Sequence, residues 1–126
     1  MKEKEVIVLD ADTTQSQNLV TFLNDSAYTA THMNSLTNMD QYMVETDCRA
    51  VVLNLDNIPV TNKILRDLKR KKPTINIIAH SNRQFHPELE EALREYISVC
   101  LAEPVDTDEL DYWLKTIFDN SEPQKE

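Results

Sequence analysis

The sequence predicts an α/β fold: a doubly wound, five-stranded parallel sheet of (βα)5 type, with helices on both faces and three layers in all. Three observations lead there. Five short runs rich in β-branched residues alternate with five helical patterns along 126 residues. The strongest runs are apolar throughout, as in strands buried on both faces. One helix separates each run from the next, which makes the strands parallel and joined by right-handed crossovers. The length suits one domain with a core of its own.

The first strand is Val6-Ile7-Val8-Leu9. Asp12, Thr13 or Thr14 can cap the helix after it, whose inner face carries Leu19, Phe22 and Leu23. Tyr28 to Met33 alternates and belongs nearer a sheet edge. A short helix from Asn38 to Glu45 turns Met39, Tyr42 and Met43 to one side. Ala50-Val51-Val52-Leu53 is the third strand. Asn62 starts the third helix, with Ile64, Leu65 and Leu68 inward and Lys63, Arg66, Lys69 and Arg70 outward. Ile75 with Ile77-Ile78-Ala79 is the fourth strand, and Pro87 fits the first turn of the helix carrying Leu89, Ala92 and Leu93. Ile97 to Leu101 is the fifth strand. Asp106 or Thr107 caps the last helix, where Leu110, Trp113, Leu114, Ile117 and Phe118 form one stripe. Residues 1–120 make the domain, and 121–126 a polar tail or the stub of a linker.

Composition narrows the function. The chain has no glycine, where about nine are usual. That excludes phosphate-cradling loops, dinucleotide fingerprints and nucleophile elbows, all of which need glycine. With 13 Lys+Arg against 22 Asp+Glu, a net charge of −9 argues against nucleic acid as a partner. Cys48 and Cys100 read as free thiols of a reducing compartment. The charged start, Met1-Lys2-Glu3-Lys4-Glu5, is no signal peptide, and no run approaches a membrane span. A cytoplasmic protein is expected.

In a doubly wound sheet, functional groups gather at the carboxyl ends of the strands, where strand order reverses. Asp10-Ala11-Asp12 follows the first strand, Asn54-Leu55-Asp56 the third, His80-Ser81-Asn82 the fourth and Glu103-Pro104 the fifth. These ends should converge on one crevice.

At these residues the chain resembles the receiver domain of bacterial two-component response regulators. The resemblance rests on Val-Ile-Val-Leu-Asp-Ala-Asp (6–12), Val-Val-Leu-Asn-Leu-Asp-Asn-Ile-Pro (51–59), Ile-Ile-Ala-His-Ser (77–81) and Leu-Ala-Glu-Pro-Val-Asp-Thr-Asp-Glu-Leu (101–110). It implies a flavodoxin-like receiver fold. It also implies a phosphoryl group taken from a histidine kinase onto a strand-end aspartate beside Mg²⁺, then read out by a hydroxyl and a lysine. Residue by residue, much of that machinery is replaced. Asp10 keeps the first of two adjacent acids, Ala11 replaces the second, and Asp12 follows. Asn54 stands at the phosphoacceptor position, Ser81 at the hydroxyl position, Glu103 before Pro104 at the lysine position, and Cys100 at that of the switch aromatic.

An amide cannot become an acyl phosphate, because its nitrogen lone pair is delocalised. Mg²⁺ prefers carboxylate oxygens, and Asp10 and Asp12 are the candidates left, too few to expect a cofactor. Glu103 sets a negative charge where phosphate should meet a positive one, costing about 4 kcal/mol at 4 Å and an effective dielectric of 20. The expected function is therefore a degenerate, pseudo-receiver module that binds proteins without ordinary aspartyl phosphorylation, and is no enzyme. The resemblance implies a histidine kinase or output domain as partners, and a homodimer through the fourth helix, fifth strand and fifth helix. The competing reading makes Asp56 a displaced acceptor, since it shares side-chain parity with Asn54. A third is an acidic adaptor unrelated to phosphotransfer.

Plainer roles account for other residues. Asp12 suits a helix cap, Ser81 a backbone-bonded loop hydroxyl, His80 a structural site and His86-Pro87 a helix start. Lys69-Arg70-Lys71-Lys72 suits the solvated carboxyl end of a helix. With no glycine, the loops near the crevice are built from Asn57, Pro59, Asn62 and Asn82, asparagine being tolerant of left-handed turns, and should be stiff.

Overall fold

Burial on both faces of the inner strands sets the architecture. The computed structural model describes residues 4–46 and 48–121. They form β1 (Glu5–Leu9), α1 (Thr13–Asp25), β2 (Thr29–Met33), α2 (Leu36–Glu45), β3 (Ala50–Asn54), α3 (Asn62–Lys71), β4 (Asn76–Ser81), a 3-10 turn (Pro87–Leu89), α4 (Glu90–Glu95), β5 (Ile97–Ala102) and α5 (Thr107–Ser121). All strands are parallel, in the order β2-β1-β3-β4-β5. The alternating second strand is an edge, as its pattern predicts.

Odd and even positions of the inner strands face different layers. Ile7, Leu9, Val51, Leu53, Ile77 and Ala79 pack with Met39 and Met43 of α2, Leu65 and Leu68 of α3, and Ala92 of α4. Val6, Val8, Ala50, Val52 and Ile78 pack with Leu19 and Leu23 of α1 and with Leu110, Leu114, Ile117 and Phe118 of α5. Truncating a fully buried residue such as Leu110 or Leu114 to alanine removes about 2–5 kcal/mol. No helix of the described residues is long and apolar enough to cross a membrane.

Helix starts follow local chemistry. Asp12 caps α1 by accepting the Gln15 N–H at 3.1 Å. Asp106 accepts the N–H groups of Asp108 and Glu109 at the start of α5. The helix α3 starts at Asn62, as the sequence predicts, and Thr61 before it is the cap, its hydroxyl accepting the Ile64 N–H at 3.1 Å. Asn62 instead ties α3 to α4, accepting the Ala92 N–H at 2.8 Å. Pro87 opens a 3-10 turn, so α4 is a six-residue helix that begins only at Glu90. The helix α5 takes in Ser121, which the sequence reading puts in the tail; residues 122–126 lie outside the described ones.

The lysines at the carboxyl end of α3 do more than face solvent. Lys69 donates to the carbonyls of Pro73 and Ile75, and Lys72 to that of Thr46. Nor do the asparagines take left-handed turns. Among the described residues Ala27 alone has a positive φ, 75°. Asn57 and Asn62 instead hold their loops through side-chain hydrogen bonds, and Asn82 through its backbone N–H.

Candidate functional site

Two strands flank the point where strand order reverses, β1 and β3, and their ends meet. Asp10, fully buried, sits just after β1. Its Oδ1 accepts the Asp12 N–H at 2.8 Å and the Asn57 amide at 2.7 Å, and its Oδ2 accepts the Asn54 amide at 3.2 Å. The Asn54 orientation is set by its other end, where Oδ1 accepts the Asp56 N–H at 2.8 Å. Asn57 is fixed the same way, since its Oδ1 accepts the Ala11 N–H at 3.1 Å. Asp12 is spent on capping α1, and Ala11 supplies only backbone.

These residues do not fit Mg²⁺. A hard cation needs carboxylate oxygens free to point at it. Here three N–H donors converge on the one buried carboxylate, and two side-chain amides stand where anionic ligands would be needed. Among the described residues, no three His, Cys, Asp or Glu side chains gather to hold a metal.

Asp56 lies beyond the strand end, exposed, and turns toward β4. The Ser81 hydroxyl donates to its Oδ1 at 2.6 Å and the Asn82 N–H to its Oδ2 at 2.7 Å. Ser81 Oγ in turn accepts the Arg83 N–H at 2.9 Å. Desolvation pushes the Asp56 carboxyl up, but the bonds from Ser81 and Asn82 and the charge of Arg83 outweigh it. The group is held below the usual carboxylate value. The following loop is cross-braced as well. The Arg83 guanidinium donates to Nδ1 of the buried His86 at 2.7 Å and pairs with Glu88. His86 Nε2, 3.2 Å from the Arg83 carbonyl, returns a bond to it.

Glu103 finds a partner of its own. His80 Nδ1, in a fully buried ring, lies 2.5 Å from Glu103 Oε2, and the imidazole Nε2 has no hydrogen-bond partner. The negative charge at the lysine position is therefore drawn across β4–β5 to the imidazole. Pro104 follows through a cis peptide bond. Cys100 is exposed on β5. Desolvation, then the charges of Asp56 and Glu103, raise its thiol pKa, which disfavours a reactive thiolate. Burial pushes Cys48 up to about 11, and both cysteines are free.

The structure thus brings Asp10 and Asn54 together in one network and Asp56 and Ser81 in a second. Glu103 turns to His80. Ser81 bonds a carboxylate instead of serving its loop alone. Sequence reasoning missed the bridging role of Asn57, the His80–Glu103 pair and the Arg83–His86 brace. The signal for Asn57 was the cluster Asn54, Asp56 and Asn57, three side chains able to reach the end of the neighbouring strand.

No protein-family model and no curated protein matches the sequence. Solved structures do. The signal receiver domain of an HD domain-containing protein from Pseudomonas fluorescens Pf-5 superposes with a TM-score of 0.83 at 19% identity, covering 94% of this chain and 97% of that one. A two-component response regulator from Clostridium difficile gives 0.81 at 13% identity, over 96% and 100%. A CheY-like response regulator receiver domain from Methylobacillus flagellatus gives 0.77 at 20% identity, over 92% and 99%. At these identities the likeness is one of fold, and the fold is that of response-regulator receiver domains.

Proposed function

We propose that the chain is a degenerate receiver, a protein-interaction module of two-component signalling whose state does not depend on aspartyl phosphorylation. One observation carries this reading: the buried Asp10 carboxylate is satisfied by three protein donors, two of them the amides of Asn54 and Asn57. The chain's own N–H groups do what a bound cation would do, and the residue at the acceptor position is one of them. The second network supports the same conclusion. The hydroxyl at the read-out position, Ser81, and the Asn82 N–H already hold a fixed anion, the Asp56 carboxylate. A loop held so has no need of a transferred phosphoryl group. Its partners are proteins, of the kinase or output-domain kind, met in the cytoplasm.

A second reading keeps Asp56 as a displaced phosphoacceptor, favoured by its exposure beside Ser81 and Arg83. One experiment separates the two. Intact mass is measured after incubation with Mg²⁺ and acetyl phosphate, for the wild type and Asp56→Asn. No mass increase is expected in either. Gain of one phosphoryl group by the wild type, lost in Asp56→Asn, would establish the second reading. An acidic adaptor role would show as partner capture that collapses with added salt, since exposed charges are screened beyond about 8 Å at physiological ionic strength.

A further inference from the structure

Among the described residues three large apolar side chains are exposed: Phe85 on the loop after β4, Tyr112 on α5 and Ile64 on α3. Ile64 stands in the most basic part of the chain. Of the residues of α3, five are Lys or Arg and one is Asp, a charge of +4 in a chain of net −9, which leaves −13 for the rest. Helix chemistry explains part of this, since Lys69, Arg70 and Lys71 stand in the last turn, at the negative end of the dipole. It does not explain Lys63 in the first turn, where an acid is favoured and none is present. Beside this charge lies a groove of about 330 Å³, walled by Leu36 and Met39 of α2 and by Ile64, Asp67, Leu68 and Lys71 of α3. The four α3 residues fall at i, i+3, i+4 and i+7, one face of the helix, and Lys63 and Arg70 flank that face two turns apart.

We infer that this groove is a docking surface for an acidic amphipathic helix of a partner protein, its aliphatic side chains in the groove and its carboxylates on Lys63, Arg70 and Lys71. A void of about 150 Å³ already holds a benzene ring, so the groove takes two aliphatic anchors, as a helix supplies them at i and i+3 or i+4. Asp67 reports the field that those carboxylates would meet. The Lys63 ammonium donates to it at 2.8 Å. That bond, and then the charges of Lys63, Arg70 and Arg66, hold its carboxyl below the usual value against desolvation. Other occupants fit less well. A two-fold axis through the groove would set +4 against +4, so a second copy does not close a dimer here. Single-stranded nucleic acid stacks its bases on aromatic rings, and α3 has none. An anionic bilayer would repel the −13 carried elsewhere. A protein segment of opposite sign meets none of these objections. The contact is small and open to salt, so its Kd is on the order of 100 μM at low ionic strength.

The inference rests on the proposed reading in one respect, that the chain binds proteins; the surface itself lies on α2 and α3, outside the crevice. The test is fluorescence anisotropy of the full chain with a labelled helical peptide of about 15 residues, Leu at every third or fourth position and Glu beside it. It is run with and without Mg²⁺ and acetyl phosphate. Saturable binding is expected in both conditions, weakened at least about fivefold when salt rises from about 0.05 M to about 0.3 M or when Gln replaces Glu in the peptide. Arg70→Glu and Ile64→Ser, both at exposed positions, should each weaken it about fivefold. Asp67→Asn removes the competing carboxylate and should tighten it about twofold, a gain that damage to the fold would not produce. No binding up to about 1 mM of chain, or binding that Arg70→Glu and Ile64→Ser leave unchanged, overturns the surface and leaves the phosphate-free reading standing. Capture on phosphatidylserine vesicles without capture of the peptide overturns it in favour of a lipid surface. Peptide binding that appears only with acetyl phosphate and is lost in Arg70→Glu upholds the surface and overturns the phosphate-free reading.

Discussion

At the scale of single residues, Asp56 organises the crevice. Its carboxylate is the acceptor that ties the β3 end to the loop carrying Phe85, and its pKa is depressed. A carboxyl titrating lower in the folded chain than its unfolded value of about 3.9 adds stability above that value and loses it as pH falls through the folded pKa. Asp56→Asn should cost about 1 kcal/mol at pH 7, near the low end for a charge-assisted bond because the group is solvent-screened. Denaturant unfolding of both proteins from pH 7 to pH 2.5 checks this. The difference should stay constant down to about pH 4 and shrink below it. A difference that grows on acidification would mean that the Ser81 and Asn82 bonds do not hold the ionised form.

Among the elements, the end of α1 shows what a glycine-free chain does at a position made for glycine. The Tyr28 N–H reaches back to the Leu23 carbonyl at 3.0 Å, the six-to-one bond of a Schellman motif, and the residue between cap and Tyr28 must turn left-handed. That residue is Ala27, φ 75°. A left-handed non-glycine residue costs about 1–2 kcal/mol, partly offset by the lower chain entropy of alanine relative to glycine. Ala27→Gly should raise stability by about 0.5–1 kcal/mol, read as a higher denaturant midpoint at unchanged slope. Such ends were legible only in part. The caps Asp12 and Asp106 stand just before apolar periodicity and were legible to within two residues, with Thr13, Thr14 and Thr107 as alternatives. The start of α3 at Asn62 was legible, but its cap, Thr61, was not singled out. The 3-10 turn at Pro87 was hidden because proline at a first turn suits both helix types.

For the molecule as a whole, the sheet and its two cores were legible because periodicity is a local signal that each strand carries alone. The crevice was legible only as a place. Its bonds join residues far apart in sequence, Asp10 to Asn54 and Asn57 across 44 and 47 positions and His80 to Glu103 across 23. Which strand-end side chain meets which depends on register. Asn54 lies opposite His80 in the β3–β4 ladder, and Ser81 opposite Ala102 in the next. That is why Glu103 could be read as a charge facing an incoming phosphate while the imidazole that bonds it went unseen.

The amide network around Asp10 also makes the pocket resistant to repair one residue at a time. In Asn54→Asp, a carboxylate replaces the amide 3.2 Å from the Asp10 carboxylate, and one of its three donors, that to Oδ2, is gone. Two carboxylates that close cannot both stay ionised without a cation, so one must take a proton. The variant should lose on the order of 3 kcal/mol at pH 7, recover part of it near pH 4, and still give no phosphoryl adduct with acetyl phosphate. Rescue of its stability by millimolar Mg²⁺ would count against this. The same holds in the other direction: an acid added at position 11 beside the present Asn54 would gain a charge and no metal. Each step back is uphill until several are taken together, so the pocket behaves like a latch that opens only when all its pins move at once.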